Sequence, residues 1–440
     1  MAFQFASLES RLNDSVFAFQ YYQVLRYISS LLVSVILVRS GLPGEQLGKY
    51  ELWIFIIGAL TTFWSSGIRN ALMSWYPTRS PEDKKSLISG VFWLLVSASI
   101  IAALLLFVFN GKITLVFSSV SLSDYAIMFA IWLVLSVPLV ITESILYLER
   151  PAGDLVYYAH WSGLSLIIFF VGAAMVSPEL DNFILALLLH ATIRLAYLII
   201  LVGKISTFRF DLTLIRLFVM FSMPVVFNML LGSAMDMIDG WFVARYYDSH
   251  IFPVFRYGAR ELPFASLLYS SLSAALIPVL IRDGVQSTAL RTRATKLMHI
   301  LFPGTILLIP LSPYLFSMVY NVAFRDSAFI FNIYLLIMTS RVLMPQTVNF
   351  ALYQHSAIVW TGIIEIFANI FLSYWWMQSF GIYGLAMATV AAYFIQKILL
   401  IIYNRTKNGI PIHHYIDMKF YIFYSVAAVI VFLIVHTTMR

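Results

Sequence analysis

Eleven ionisable side chains stand where an apolar chain has no ordinary use for them: Arg26, Arg69, Arg194, Arg256, Arg260 and Arg341 against Glu143, Asp236, Asp239, Glu261 and Glu365. An arginine at the centre of a membrane helix costs about 2.5–3.5 kcal/mol on insertion scales, so it survives only where protein or water satisfies it. The planar guanidinium fork grips phosphate and carboxylate oxygens two at a time. The arginines therefore predict contacts to an anionic substrate. The acids predict charge balance, or a seat for a coupling proton or sodium ion. Asn228, Asn369 and Tyr257 share these stretches and are expected to add polar lining.

Projected at about 100° per residue, these residues fall on narrow stripes. Gln23, Arg26, Ser30 and Ser34 share one quadrant; Thr62, Ser65, Ser66 and Arg69 share another. His190, Arg194 and Tyr197 align, as do Tyr334, Arg341 and Pro345. Arg256 and Arg260 lie one turn apart, with Tyr257 and Glu261 on the adjoining face. Glu143 lies between Ser136 and Tyr147, Asp236 and Asp239 extend the Asn228–Gly232 face, and Glu365 stacks between Thr361 and Asn369. Plainer roles compete: snorkelling to headgroups for Arg26 and Arg256, interfacial loops for Asp239 and Asp248, core hydrogen bonding for His160 and His190, and a packing ion pair between Arg260 and Asp236.

The stripes sit in a chain of 440 residues that is 61% hydrophobic and 11% charged, with mean hydropathy +0.87. Soluble domains carry roughly a quarter charged residues. This is an all-α polytopic membrane protein. Spans are expected near 18–38, 50–73, 87–109, 123–147, 155–176, 181–202, 213–236, 254–281, 295–319, 327–350, 356–377, 381–403 and 418–436. With the N-terminus cytoplasmic, the inner connections hold fourteen Lys and Arg and the outer ones five, which sets that orientation. The same bias accounts for the net charge of +7 without nucleic acid. Absence of cysteine removes disulfides, thiolate metal sites and cysteine nucleophiles.

The halves resemble each other. "GKYELWIFIIGALTTFWSSGIRNALMSWYP" (48–77) parallels "FPVFRYGARELPFASLLYSSLSAALIPVLI" (252–281), with Tyr50 and Tyr257 in register. "SVPLVITESILYLER" (136–150) parallels "LMPQTVNFALYQHS" (343–356). This predicts two six-helix bundles, 18–203 and 204–404, related by a pseudo-repeat, after an amphipathic segment 1–17. A cytoplasmic link and a thirteenth span fill 405–440. Repeats of this kind place transport sites between the halves.

A cation exporter would want an acid-dominated cavity. Metal transport would want clustered carboxylates, which only Asp236 and Asp239 approximate. An anionic substrate suits the arginines best. A membrane-embedded glycan polymerase or ligase is the alternative of another class. It would need a long outer loop or a carboxylate–histidine constellation; His413–His414 lacks the glutamate of a zinc-protease helix, and no G-x-S-x-G or P-loop occurs.

"FGIYGLAMATVAAYFIQKILLIIYN" (380–404) resembles the Phe-Gly-Ile-x-Gly-x-Ala-x-Ala-Thr element of polysaccharide flippases in the multidrug/oligosaccharidyl-lipid/polysaccharide exporter superfamily. "LYQHSAIVWTGIIEIFANIFLSYWW" (352–376), "VFRYGARELPFASLLYSSLSAALIPVL" (254–280) and "LGKYELWIFIIGALTTFWSSGIRNAL" (47–72) are similar to its other helices, and the resemblance covers about residues 15–405. It implies alternating access and outward flipping of a polyprenyl-diphosphate-linked oligosaccharide for surface polysaccharide. A multi-pass place in the bacterial cytoplasmic membrane follows, with membrane lipids as surroundings and glycosyltransferases and a glycan polymerase as pathway partners. A drug exporter of the same superfamily is the nearer alternative. No cofactor is implied; coupling to a proton, to sodium or to the membrane potential stays open.

Overall fold

The computed structural model describes residues 14–118, 123–206, 211–260 and 263–439, and they are almost wholly helical. Glu261, residues 1–13 of the expected amphipathic segment, and the side chain of Asp236, expected to pair with Arg260, lie outside the described residues. The helices are α1 (Ser15–Arg39), α2 (Gly44–Trp75), α3 (Pro81–Val108), α4 (Asn110–Phe117), α5 (Ala126–Ser136), α6 (Thr142–Glu149), α7 (Ala152–Val176), α8 (Leu180–Ile205) and α9 (Leu212–Tyr246). There follow α10 (Ile251–Gly258), α11 (Pro263–Asp283), α12 (Ala289–Val319), α13 (Arg325–Leu335), α14 (Ile337–Arg341), α15 (Pro345–Ala351), α16 (His355–Phe380), α17 (Ile382–Asn408) and α18 (Met418–Met439).

Twelve helical stretches among the described residues are long and apolar enough to cross a membrane, the last being Met418–Thr438. Their outward faces carry Leu104, Val108, Ile168, Phe367, Trp375 and Phe423, each at least half exposed. In water such surface would be a liability; against lipid it is the expected solvent face.

Contacts divide the chain into two units, one of residues 1–233 and 244–250, the other of 234–243 and 251–440. The boundary expected at 203/204 is not where the contacts divide. Most of α9 belongs to the first unit, and only its 234–243 stretch to the second.

In the first unit α1 packs along α7, α7 along α8, and α5 against α3 and α8. Trp53 stacks on Phe129 with ring centroids 5.3 Å apart, and Phe170 and Phe183 complete an aromatic core. In the second unit α16 and α17 pair along their length, and α12 is flanked by α11, α13 and α18. Phe302, Met338, Leu343, Tyr415 and Ile416 fill its centre. The two equivalent tyrosines are both buried among rings: Tyr50 beside Phe129 and Phe170, Tyr257 beside Tyr320 and Phe324.

Three expected spans are broken. The span expected at 123–147 passes through a 3-10 turn, Val137–Ile141, around Pro138. The span expected at 327–350 becomes α13, α14 and α15, with Met344 left-handed (φ 47°) before Pro345. Proline lacks the N–H that continues a helix and clashes with the preceding turn. The span expected at 254–281 is two helices, because the chain closes on Ser327 at Gly258 and restarts at Pro263. A Cβ at Gly258 would overlap the Ser327 carbonyl. Backbone freed by such breaks must find partners inside protein: Ser327 Oγ donates to Val254 O at 2.7 Å and Tyr421 OH to Thr339 O at 3.1 Å.

Candidate functional site

The first unit gathers charge around Glu143. The turn at Pro138 lets α6 begin at Thr142, so Glu143 falls in its first turn, buried at 1% exposure. Arg26 of α1 places Nη1 3.5 Å from Glu143 Oε1, and Arg69 of α2 places its Nη1 3.4 Å from the same oxygen. Both distances exceed those of a tight ionic hydrogen bond. Arg69 also donates from Nε and Nη2 to Asn70 Oδ1, each at 3.3 Å. Arg26 is half exposed and Arg69 one-fifth, so both keep an open side.

Arg194 of α8 joins them across tyrosines. Its Nε donates to Tyr158 OH at 2.9 Å, and Tyr158 stacks between Tyr22 and Tyr197 with centroids 5.9 and 5.2 Å away. The Arg26 guanidinium lies 5.6 Å from the Tyr22 ring, within cation–π range. Arg26 and Arg69 thus share one carboxylate, with Arg194 in its electrostatic field on the tyrosine wall beside them. His190, on the same helix, directs Nε2 at Ser162 O at 3.0 Å, as a core histidine. His160 is held by Tyr21 OH and Val156 O, both at 2.9 Å. One residue before Arg69, Ile68 lines an apolar groove of about 350 Å³ shared with Leu94 and with Val219, Met223 and Phe227 of α9. Gly67 permits this approach, since a Cβ there would come 2.6 Å from Val226 Cα.

The second unit holds two further polar groups. Asp239, at 4% exposure, accepts from Tyr334 OH at 2.5 Å and from the Thr389 hydroxyl. Asn369 Nδ2 donates to Thr389 Oγ1 at 3.1 Å, and Asn369 Oδ1 accepts from Ser373 Oγ at 2.8 Å. Asp239 is therefore no interfacial loop residue; α9 runs 35 residues and carries it into the interior. Asn369 is fully buried in that network instead of lining an open cavity. One turn from Asn369, Glu365 is 4% exposed, with Lys397 of α17 and Arg341 of α14 as its charged neighbours. Arg341 sits between the rings of Tyr269 and Tyr393, 4.8 and 5.0 Å from their centroids.

Other expectations fare differently. Arg256 lies 6.0 Å from the Phe252 ring and Arg260 4.7 Å from the Tyr257 ring, but they do not share a helix face, because α10 ends at Gly258. Tyr257, at 1% exposure, belongs to an aromatic stack and not to a polar lining. Asn228 is exposed on α9 and does not join the polar lining expected of it.

Sequence reasoning missed Lys397, Tyr158 and Thr389, and put Tyr334 on a stripe with Arg341 without its bond to Asp239. Lys397 obeyed the rule that singled out the arginines, a charge inside an apolar run. Tyr158 had no such signal among 25 tyrosines. Also unforeseen are two reciprocal amide pairs tying α17 to the α15 region. Asn349 and Asn404 exchange bonds at 2.9 and 3.1 Å, and Gln354 and Asn408 at 2.9 Å each way.

Fold and charge define a multi-pass helical membrane protein built like the transporters of the multidrug/oligosaccharidyl-lipid/polysaccharide superfamily. The structure is similar to a lipid II flippase, MurJ, in an inward closed conformation, at TM-score 0.69 and 16% identity, covering 95% of this chain and 92% of that one. It is also similar to an inward-facing multidrug resistance MATE transporter, at TM-score 0.60 and 13% identity over 87% and 94% of the two chains. A third likeness is to a superfamily transporter from Pyrococcus furiosus noted for the reverse polarity of its binding pocket, at TM-score 0.59 and 13% identity over 90% and 94%. The particular family is given by sequence: residues 42–329 match the family described as "Polysaccharide biosynthesis protein", and the chain belongs to it. No curated protein sequence matches the chain.

Proposed function

We propose that this protein is a flippase that carries a polyprenyl-diphosphate-linked oligosaccharide from the cytoplasmic to the outer leaflet. The carrying observation is that Arg26 and Arg69 share the single acid Glu143, with Arg194 in its field. Three positive charges and one negative leave about +2, the complement of a diphosphate diester, whose two phosphates each hold one negative charge. The long contacts to Glu143 leave both arginines able to exchange it for phosphate oxygens. The tyrosine wall of Tyr22, Tyr158 and Tyr197 suits the sugar beyond them, and the groove beside Ile68 suits a prenyl tail. A cationic drug would meet repulsion here, which disfavours the exporter reading.

Arg256, Arg260 and Arg341 are secondary in this scheme, and Glu143, Asp239 and Glu365 balance charge or take part in coupling. With the N-terminus in the cytoplasm, outward movement of two negative charges gains about 2.3 kcal/mol per charge per 100 mV. The pathway partners would be the glycosyltransferases that build the substrate and the polymerase that uses it, in a bacterial cytoplasmic membrane. The test is reconstitution into vesicles with a fluorescent polyprenyl-diphosphate oligosaccharide, following its accessibility to an impermeant quencher. Protein-dependent flipping that Arg69→Ala abolishes is the expected result. Flipping absent in the wild type, with efflux of a cationic dye in its place, overturns the reading.

A further inference from the structure

The second unit contains two buried opposite charges that face each other without touching. Glu365 on α16 is 4% exposed and Lys397 on α17 is 6% exposed. The two helices are paired along their length, and each group lies in the field of the other. Yet among the described residues no ion pair within 4.0 Å joins them, and Glu365 Oε1 accepts no hydrogen bond. A structural salt bridge needs close contact, since only short, well-bonded geometry repays the desolvation of two ions. This pair lacks that geometry.

The surroundings are built for a polar group nonetheless. Ala357, Thr361, Glu365, Asn369 and Ser373 form a buried file at four-residue spacing along α16. Gln396, beside Lys397, accepts from Gln346 of α15 at 3.0 Å. Facing groups on the other packed elements are Arg341 of α14, held between Tyr269 of α11 and Tyr393 of α17. Towards Asn369 the file meets Tyr334 of α13 and Asp239 of α9. An uncompensated buried carboxylate is strongly disfavoured, and it escapes by approaching a cation or by taking up a proton.

We infer that Glu365 and Lys397 form a proton-binding site of the second unit, at which Glu365 takes up and releases one proton in each transport cycle. The step is a bare proton transfer: the proton arrives from water onto a carboxylate oxygen and leaves by the same bond, with nothing oxidised or reduced. Ionised, Glu365 is drawn to the Lys397 ammonium, tightening α16 on α17. Protonated, it loses that attraction and the charge of the group rises by one. Lys397 is the positioning cation. The site stands on its own geometry; its use in moving substrate rests on the flippase reading.

The site is tested without substrate by infrared difference spectroscopy of the full-length protein in lipid, titrated between about pH 5 and pH 9. A carboxylic C=O band should grow on acidification, vanish in Glu365→Gln, and appear over a different pH range in Lys397→Met, while Lys397→Arg stays close to wild type. A spectrum with no such band, or one that neither Glu365→Gln nor Lys397→Met alters, overturns the proposal. Vesicle flipping then tests coupling. One unit of pH gradient is worth a factor of about ten per coupled proton at equilibrium, so the steady-state distribution of substrate between leaflets should shift with the gradient by a factor approaching ten in the wild type and one in Glu365→Gln. A shift equal in both overturns the coupling. A titrating band with no flipping in any variant keeps the site and refutes the flippase.

Discussion

Arg69 reaches Glu143 Oε1 at 3.4 Å across 74 residues of sequence, binding α2 to the first turn after the Pro138 break. The carboxylate is buried and the guanidinium is not fully so, and the same oxygen receives Arg26 from α1 at 3.5 Å. An acid shared by two arginines at long range draws both towards one point and satisfies neither in full.

Glu143→Gln should therefore uncouple stability from anion binding. Removing one partner of a buried pair costs about 3–5 kcal/mol in tight cases, and these long contacts place the loss at or below the lower end. Thermal unfolding in detergent should show a lower Tm. Added inorganic pyrophosphate should raise that Tm more than it raises the wild type's, because a ligand that binds only the folded state stabilises it by mass action. Equal shifts in both proteins would refute a phosphate seat at this cluster.

Arg69→Lys should fail nearly as badly as Arg69→Ala. The fork contacts Glu143 through Nη1 and Asn70 through Nε and Nη2 together, and an ammonium cannot reproduce that span. Flipping in vesicles should fall at least about tenfold in both, equivalent to about 1.4 kcal/mol. Near-wild-type flipping in the lysine variant would show that charge alone suffices.

Much of this was legible in the sequence, and the gaps have particular causes. Pro138 and Pro345 coincide with two breaks, since proline lacks the N–H that continues a helix. Yet Pro224 in α9 and Pro303, Pro310 and Pro313 in α12 leave those helices continuous, so proline alone does not locate a break. Gly258 marked a third and could not be read, since its reason is the Ser327 carbonyl from a distant helix. Arg26, Arg69 and Glu143 were each assigned a polar face, but periodicity orients a face without saying which faces meet. Asp239 was misplaced towards the surface because α9 continues through Tyr246, well beyond the roughly 20 residues that cross a bilayer.

Asp239→Asn should destabilise the second unit. Its Oδ2 accepts from both Tyr334 and Thr389; an amide carbonyl in that place loses the charge that strengthens both bonds, and turned the other way it presents N–H to hydroxyls already donating. An unsatisfied buried group costs about 1–3 kcal/mol. Thr389→Val, which removes the link to Asn369 as well, should cost a similar amount, and the double variant should cost less than the sum. Strict additivity in chemical unfolding would mean that the residues do not form one network.

The foot of α18 should loosen in acid. Asp417 Oδ2 accepts from Arg291 Nη2 at 2.9 Å and Oδ1 accepts the Lys419 N–H at 3.1 Å, and the Arg291 bond foremost holds this carboxyl below its ordinary value. A depressed folded value means the stabilisation is fully present above the unfolded value of about 3.9 and is lost as pH falls through the lower folded one. Amide exchange at Lys419 should accelerate across that window, and Arg291→Gln should show the same acceleration already at neutral pH. Exchange unaffected by either change would place the anchor of α18 elsewhere, for example at the Tyr421–Thr339 bond.

Two glycines that look alike in sequence should respond oppositely to alanine. Gly58 and Gly384 both lie in apolar helices among small residues, the pattern that lets membrane helices approach closely. A Cβ at Gly58 would meet only Thr62 of its own helix at 3.7 Å, an ordinary contact, so Gly58→Ala should be neutral or slightly stabilising by helix propensity. A Cβ at Gly384 would fall on the Trp376 carbonyl and 3.0 Å from Met377 N, backbone that cannot swing aside. Gly384→Ala should force the α16–α17 turn apart at a cost of about 1–3 kcal/mol, read as a lower Tm in detergent. Because that turn also sets the spacing of Glu365 and Lys397, the same variant should displace the pH range of the Glu365 carboxyl band, and Gly58→Ala should leave it in place.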